Sequence, residues 1–235
     1  MYDAILFDLD GTLLGLDNDR FVTHYFKALA PKLAPWYPQT DFMALIGTAT
    51  EAMIRSDGRQ GVLRDVFQQT HDRISAVKFA EVEAVFLSFY ENEFNQVAAI
   101  SRPLPLAPKV LQAAAAISPR IVLATIPIFP LVAIQARLRW GGLEHFPFRL
   151  ITSFEKMHYS KPHPEYFLEI CREIGADPEK CLMAGNDHRD DLAAASVGME
   201  TFLVSDDPLN SEEEVHPPTY SGTLEECHQF LQQLA

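Results

Sequence analysis

The chain has 235 residues, of which 48% are hydrophobic and 22% are charged, and its formal net charge is -13. A chain this apolar can bury enough surface to offset the entropy of ordering its backbone, so the composition excludes disorder as the dominant state. The acidic charge disfavours binding to nucleic acid and to anionic membrane surfaces, because like charges repel.

Cysteine usage and the amino-terminal sequence indicate a cytoplasmic protein. The three cysteines include no Cys-x-x-Cys pair, so we expect a reducing compartment and no structural zinc site. Three aspartates among the first ten residues are unlike the basic start of a secretory signal. No apolar stretch approaches the ~20 residues that span a bilayer, so we expect no membrane segment.

The first predicted element is a short buried strand over residues 2–9. Its apolar residues follow one another, which is typical of a strand covered on both faces in a parallel sheet. The turn sequence Asp-Gly-Thr begins at Asp10. Asp8 and Asp10 are therefore expected at the carboxyl end of this strand.

Residues 16–98 show helical patterns and no convincing buried strand. Helices are predicted over 20–33, 41–54, 63–77 and 79–94, and the aromatic residues between 85 and 94 mark one apolar face that packs in a core. A helical block after the first strand is best explained as an inserted domain. The proline-rich segment 102–108 is the predicted return linker, because proline cannot continue a helix interior.

After the linker, short apolar runs alternate with helical patterns. Strands are predicted over 120–125, 149–152, 181–184 and 201–204, and helices over 110–117, 131–140, 166–174 and 192–197. This alternation predicts an α/β fold with a parallel sheet. Residues 212–218 are expected to form a loop before a last helix over 223–234, which Thr223 and Glu226 would cap.

Four predicted strand ends carry polar residues that could act together, because ligands in open α/β sheets bind beyond the carboxyl ends of strands. Asp8 and Asp10 are separated by one residue, so one carboxylate can attack an electrophile while the other transfers a proton or shares a metal. On its own, this Asp-x-Asp-Gly sequence is just as typical of a polar turn.

The other three strand ends would supply a hydroxyl, an ammonium and several acidic oxygens. Thr125 by itself is more typical of a cap than of a ligand contact. Lys161 precedes a proline that keeps its backbone extended, and its ammonium could neutralise a phosphate. The turn 185–191 offers oxygen ligands that suit Mg²⁺, although Asp190 or Asp191 could instead cap the following helix.

Together these segments resemble the motifs of the haloacid dehalogenase-like hydrolase superfamily, and in particular its phosphatases with a helical cap inserted after the first motif. Residues 7–14 (FDLDGTLL) resemble the first motif, and the others are matched by 122–125, 160–162 and 185–191. The resemblance implies a Rossmann-like parallel sheet core formed by residues 1–15 and 99–235. It also implies an all-helical cap formed by residues 16–98.

The resemblance also implies a role for each site residue. Asp8 would be the nucleophile that forms an aspartyl-phosphate, and Asp10 would protonate the leaving oxygen and later activate water. Thr125 and Lys161 would hold the phosphoryl oxygens. Mg²⁺ would offset the repulsion between the attacking carboxylate and the phosphate. The metal ligands that the resemblance implies are Asp8, Asp10, Asn186, Asp187 and Asp191.

Two positions depart from the family pattern. Asn186 stands where the family usually has aspartate, so the affinity for Mg²⁺ should fall unless Asp187 or Asp191 compensates. Ile126 stands where many relatives carry a small polar residue, and it removes a possible polar contact beside the phosphate.

The expected function is Mg²⁺-dependent hydrolysis of a small phosphorylated metabolite by a monomer or a homodimer. A phosphomutase and a catalytically weak phosphate-binding protein are the alternatives. Dehalogenation is disfavoured because dehalogenases of the superfamily typically lack the second carboxylate of the first motif, whereas Asp10 is present. Charged cap residues that could contact a leaving group are expected to be ordinary solvated helix residues: Arg55, Arg59, Arg64, His71 and Arg73.

Overall fold

In this computed structural model, which describes residues 2–38, 41–213 and 216–235, six strands form a parallel sheet and two form an antiparallel pair. The strands are β1 (Ala4–Phe7), β2 (Leu14–Leu16), β3 (Ser101–Pro103), β4 (Ile121–Leu123), β5 (Leu150–Ile151), β6 (Cys181–Gly185), β7 (Glu200–Val204) and β8 (Tyr220–Gly222). The helices are α1 (Asn18–Leu33), α2 (Phe42–Ile54), α3 (Leu63–Ile74), α4 (Phe79–Glu91), α5 (Ala107–Ile117), α6 (Leu131–Gly141), α7 (Pro164–Ile174) and α8 (Leu224–Leu234).

The order of the strands in the sheet is β5-β4-β1-β6-β7-β8, and every neighbouring pair is parallel. The chain therefore first adds strands on one side of β1 and then returns to add strands on the other side. A reversal of this kind opens a crevice at the carboxyl ends of the central strands. The predicted α/β class, with a Rossmann-like parallel sheet, is confirmed.

Alternate residues of β1 pack into different cores on the two faces of the sheet. Leu6 belongs to one apolar cluster, whereas Ile5 and Phe7 belong to the other, and all three are fully buried. Helix α7 covers the Leu6 face, and helices α5 and α8 cover the opposite face. This two-sided packing fixes the position at which β1 ends.

Helices α1 to α4 and the 3-10 segment Glu93–Ile100 form the helical region that the sequence predicts between the first strand and the rest of the sheet. The aromatic residues between 85 and 94 are buried, as predicted, and rings of this region also contact the core of the protein. The ring centroids of Phe21 and Phe129 are 5.7 Å apart, and those of Phe94 and Trp140 are 4.9 Å apart. The division into a core of 1–15 and 99–235 and a cap of 16–98 stays a prediction.

Several local predictions need correction. The predicted linker 102–108 is partly structured, because Ser101–Pro103 pairs with β2 and helix α5 begins at Ala107. A proline occupies the first turn of α5, where the backbone needs no amide donor. Strand β8 was not predicted. Of the predicted loop over 212–218, residues 214 and 215 lie outside the described residues.

Within the described part of the chain, none of the helices is both long and apolar enough to cross a membrane.

Candidate active site

A cavity of about 290 Å³ lies beyond the carboxyl ends of β1, β4 and β6. Its lining brings together residues that are more than 170 positions apart in the sequence, because these three strands are neighbours in the sheet. All seven predicted site residues line it: Asp8, Asp10, Thr125, Lys161, Asn186, Asp187 and Asp191.

Lys161 connects two of the carboxylates in the floor of the cavity. Its Nζ lies 2.9 Å from Asp8 Oδ1 and 2.5 Å from Asp191 Oδ1, and its side chain is fully buried. Burial alone would lower the pKa of Lys161, but the two carboxylates outweigh that effect and raise it. Burial raises the pKa of Asp8 and of Asp191, with Lys161 opposing the shift in both cases. The ammonium is therefore a permanent positive charge beside Asp8.

Two glycines leave room for side chains of the fourth motif. Gly11 has a φ of +82°, and a Cβ there would lie 2.2 Å from Asn186 Nδ2. A Cβ on Gly185 would lie 2.0 Å from Asp191 Oδ2. A side chain at either position would push a site residue aside, so the close approach needs glycine.

The turn of the fourth motif is held by hydrogen bonds from its own backbone. Asp187 accepts from the amides of Arg189 and Asp190 at 2.8 Å each, and Asp191 Oδ2 accepts from the amide of Asp187 at 3.0 Å. Asn186 donates from Nδ2 to the carbonyl of Asp207 at 2.6 Å. Its Oδ1 accepts from the Thr12 hydroxyl at 3.2 Å. Hydrogen bonds therefore hold all three side chains of the predicted metal-binding turn in place.

Thr125 is held at the cavity by bonds to its backbone. Its carbonyl accepts from the hydroxyl of Tyr166 at 2.8 Å and from that of Thr152 at 2.9 Å. Burial raises the pKa of Tyr166, so this hydroxyl remains a donor. Thr125 itself is buried and lines the cavity.

The comparisons with known proteins identify the family. The model of the haloacid dehalogenase-like hydrolase family matches residues 2–198. The chain belongs to this family. The pyrophosphatase PpaX of Bacillus cereus is 22% identical over 203 residues, which are 86% of this chain and 83% of that protein.

Solved structures of the haloacid dehalogenase-like fold resemble the whole chain. A phosphatase from Thermococcus onnurineus has a TM-score of 0.61 at 19% identity, and 97% of each chain is covered. A 2-haloacid dehalogenase from Pseudomonas syringae pv. Tomato has a TM-score of 0.65 at 18% identity, with all of each chain covered. At these identities the likeness shows the fold, and the fold is shared by enzymes of different chemistry.

Arg137 is a residue of this haloacid dehalogenase-like hydrolase that the sequence reasoning missed. It lies in α6, is 2% exposed, and pairs through Nη1 with Asp10 Oδ2. Its guanidinium carbon is 4.9 Å from the centre of the Phe129 ring. The sequence did contain a sign that Arg137 is buried, because it follows Ala133 by four residues and so lies on the same, buried face of α6.

The charges around the cavity suit a hard divalent cation. Among the described residues, its lining contains five carboxylates and two cationic side chains, Lys161 and Arg137. Asp10 Oδ1 is buried without a hydrogen-bond partner among the described residues. Oxygen donors with excess negative charge are the environment that Mg²⁺ prefers.

No ready cluster of three or more acidic, histidine or cysteine side chains for a metal is found in the described ranges. Asp191 accepts from Lys161 and from the amide of Asp187, and Asp187 accepts from the amide of Arg189. The predicted set also includes the amide oxygen of Asn186. The assignment of the metal ligands therefore stays a prediction.

The charged cap residues lie outside this cavity in the part of the chain that the structure describes. Arg55 pairs with Glu51 at 2.6 Å, and its side chain is 78% exposed, as expected for a solvated residue. His71 differs from the expectation, because it is fully buried and its Nε2 lies 2.8 Å from the hydroxyl of Tyr37. It belongs to the buried face of α3.

Proposed function

We propose that the protein is a Mg²⁺-dependent phosphatase that hydrolyses a small phosphomonoester through an aspartyl-phosphate on Asp8. The observation that carries the proposal is the meeting of Asp8, Asp10 and Lys161 at one cavity. The chemistry requires a nucleophile, a proton donor and a positive charge within reach of one phosphorus atom. The match to a hydrolase family and the likeness to a pyrophosphatase support the same class of reaction.

In the first step, a carboxylate oxygen of Asp8 attacks phosphorus and the bond to the leaving oxygen breaks. Asp10 donates its proton to that oxygen, so the alcohol leaves as a neutral molecule. Burial raises the pKa of Asp10, with Arg137 opposing the shift. Because Arg137 pairs with Oδ2, the other carboxylate oxygen of Asp10 is left to carry the proton.

In the second step, water attacks the phosphorus of the aspartyl-phosphate, and Asp10 accepts a proton from it. The bond between phosphorus and the Asp8 oxygen breaks, which releases inorganic phosphate and restores both carboxyl groups. Lys161 and Thr125 would hold the phosphoryl oxygens during both steps, a role that their position in the cavity lining supports.

When bound, Mg²⁺ would supply positive charge that offsets the repulsion between the phosphate and the Asp8 carboxylate. The ligands proposed for it are Asp8, the backbone carbonyl of Asp10, and oxygens of Asn186, Asp187 and Asp191. The monomeric or homodimeric state and the cytoplasmic location stay predictions.

The test is phosphate release from p-nitrophenyl phosphate by the whole protein with Mg²⁺, with EDTA, and with Asp8→Asn. We expect both EDTA and the substitution to lower turnover by at least ~10³-fold, because the nucleophile and its cation act in the chemical step. Asp177→Asn is the matched control, because this exposed helix cap can be replaced by asparagine without loss.

Other outcomes separate the alternatives. Turnover that survives Asp8→Asn would overturn the proposal. Transfer of the phosphoryl group to an added sugar phosphate in place of water would indicate a mutase. Chloride release from a haloacid without phosphate release from any ester would assign the dehalogenase reaction.

A further inference from the structure

A second cavity, of about 230 Å³, lies between the cap helices and the core and borders the catalytic cavity. Phe21, Val22, Ile128 and Phe129 line both cavities. The two cavities therefore adjoin at these four residues. We call the second cavity the cap cavity.

The walls of the cap cavity are apolar. They consist mainly of aromatic rings and branched alkyl groups from α1, α2 and α4. Two of the rings carry hydroxyls, but those of Tyr25 and Tyr90 lie 2.8 Å apart and are bonded to each other. The wall thus offers few free polar groups to a ligand.

The charges at the cap cavity are negative. Among the described residues that line it, none is a lysine, an arginine or a histidine. Glu51 and Glu83 line it, and their arginine partners do not: Arg55 Nε is 2.6 Å from Glu51, and Arg64 Nε is 3.0 Å from Glu83. A carboxylate or a second phosphate in this cavity would lose its water without gaining a cation.

The apolar wall is also partly open. Val22 is 51% exposed and Leu87 is 43% exposed, although both line the cavity. Exposed apolar surface of this kind is unfavourable in water, and a ligand that covers it gains free energy in proportion to the area covered. An apolar group is therefore the occupant that this cavity favours.

We propose that the cap cavity binds the leaving group of the substrate and that the substrate is a phosphomonoester of an aromatic or long-chain aliphatic alcohol. The inference rests on the proposed phosphatase function and narrows it to one substrate class. Ile126, which lines the catalytic cavity, extends the apolar surface toward the phosphate. Phosphoglycolate and pyrophosphate, whose leaving groups are charged, are expected to be poor substrates.

The test is a comparison of kcat/KM for ethyl, butyl, hexyl and 1-naphthyl phosphate with that for phosphoglycolate and pyrophosphate. Burial of each added methylene should raise kcat/KM by up to about fourfold until the cavity is full. The naphthyl ester should exceed phosphoglycolate by at least ~10-fold. Equal rates along the alkyl series, or a preference for the charged substrates, would overturn the inference and leave the phosphatase function standing.

A variant of the cavity wall gives a second measurement. Gly47 in α2 lines the cavity, and a Cβ there meets no atom within 4 Å, so Gly47→Phe can fill the space without a clash at its base. We expect kcat/KM for hexyl and 1-naphthyl phosphate to fall at least ~10-fold more than kcat/KM for ethyl phosphate, whose short chain reaches least far into the cavity. Ala44→Phe is the matched control, because Ala44 is exposed on the same helix and lies outside the cavity lining.

Binding of 1-naphthol to the Asp8→Asn protein, measured by calorimetry, separates the two proposals. Naphthol that binds to Asp8→Asn and is excluded by Gly47→Phe would support the cap cavity even if no ester is hydrolysed. An absence of binding, or equal binding to both proteins, would reject the cavity as an apolar ligand site. Failure of phosphate release alone would reject only the proposed reaction.

Discussion

The buried pair of Arg137 and Asp10 provides a prediction that joins stability to the candidate site. Arg137→Met removes the charge and keeps an apolar chain that can still pack beside Phe129, whose ring centre is 4.9 Å from the guanidinium carbon. The Asp10 carboxylate would lose its direct ionic partner. We therefore expect Arg137→Met to destabilise the protein through Asp10 rather than through lost packing.

The exposure of the two side chains sets the magnitude. Removing one partner of a buried pair costs about 3–5 kcal/mol. The Arg137 side chain is 2% exposed, but 19% of the Asp10 side chain is accessible at the cavity, so solvent reduces the penalty. We take the lower end, about 3 kcal/mol of the free energy of unfolding, which in a domain of this size lowers Tm by roughly 6–12 °C.

The sign of the pH dependence follows from the pKa of Asp10. Burial raises this pKa and Arg137 opposes the shift, so removing Arg137 raises it further. A carboxyl group with a raised folded-state pKa destabilises the protein when it is ionised, and this penalty disappears as pH falls and the group is protonated. The difference in stability between the native protein and Arg137→Met should therefore be largest near neutral pH and shrink in acid.

Urea unfolding of the native protein, Arg137→Met and the double variant Arg137→Met/Asp10→Asn checks the prediction. The double variant carries no unpaired charge at this position, so it should recover at least about 1 kcal/mol relative to Arg137→Met. A loss below about 1 kcal/mol in Arg137→Met would refute the reasoning. A double variant as unstable as the single one would refute it as well.

Three further predictions concern other parts of the chain. Gly185→Ala should lower the free energy of unfolding in urea by about 1–3 kcal/mol and abolish phosphate release, because its Cβ would displace Asp191 from Lys161. An unchanged rate of phosphate release would contradict this interpretation of the turn. Thr223→Ala should cost about 1 kcal/mol, since it removes the capping box of α8, and unchanged stability would argue against that cap. Burial raises the pKa of Cys227 to about 12. Iodoacetamide at pH 8 should therefore label Cys227 far more slowly in the native protein than in the urea-unfolded protein. Equal rates of labelling would contradict the burial of Cys227.

The parallel sheet was predictable because its central strands are continuous apolar runs. Residues 181–184 and 201–204 read as buried strands for this reason, and the structure has strands there. Strand β8 was missed because Tyr220–Gly222 contains one apolar residue, too few to show a period. Strand β3 was missed because Pro103 suggests a linker, and only its pairing with β2 makes a strand at that position.

Part of the candidate site was predictable from the rule that ligands bind beyond the carboxyl ends of parallel strands. Residues at the ends of parallel strands converge, so Asp8 and Thr125 could be placed together without a structure. The expectation that Lys161 also follows a strand end is wrong, because β5 ends at Ile151 and Lys161 lies in the later turn before α7. Only the family resemblance predicted that Lys161 joins the same site. Arg137 lies within a helix, to which that rule does not apply. The periodicity of α6 indicates that Arg137 is buried, but a helical pattern does not show which group the Arg137 side chain faces.

The cap cavity marks another limit of sequence reasoning. The aromatic residues of α4 were predicted to pack in a core, and several of them do, but Phe86 and Tyr90 also line a cavity. An apolar helix face indicates that water is unfavourable there, and it does not say whether protein or ligand replaces the water. Only the distances between elements decide this, and no local pattern encodes them.

The contact between the two cavities has a consequence for catalysis beyond binding. Phe129 lines both cavities and lies against the guanidinium of Arg137, which pairs with Asp10. An apolar group that fills the cap cavity displaces water from Phe129, whose ring lies against this pair, and electrostatic interactions strengthen where water is excluded. Binding energy from a part of the substrate that does not react can in this way lower the barrier at phosphorus. The length of the alkyl chain should then change kcat as well as KM, and an effect on KM alone would show that the cap cavity only holds the substrate.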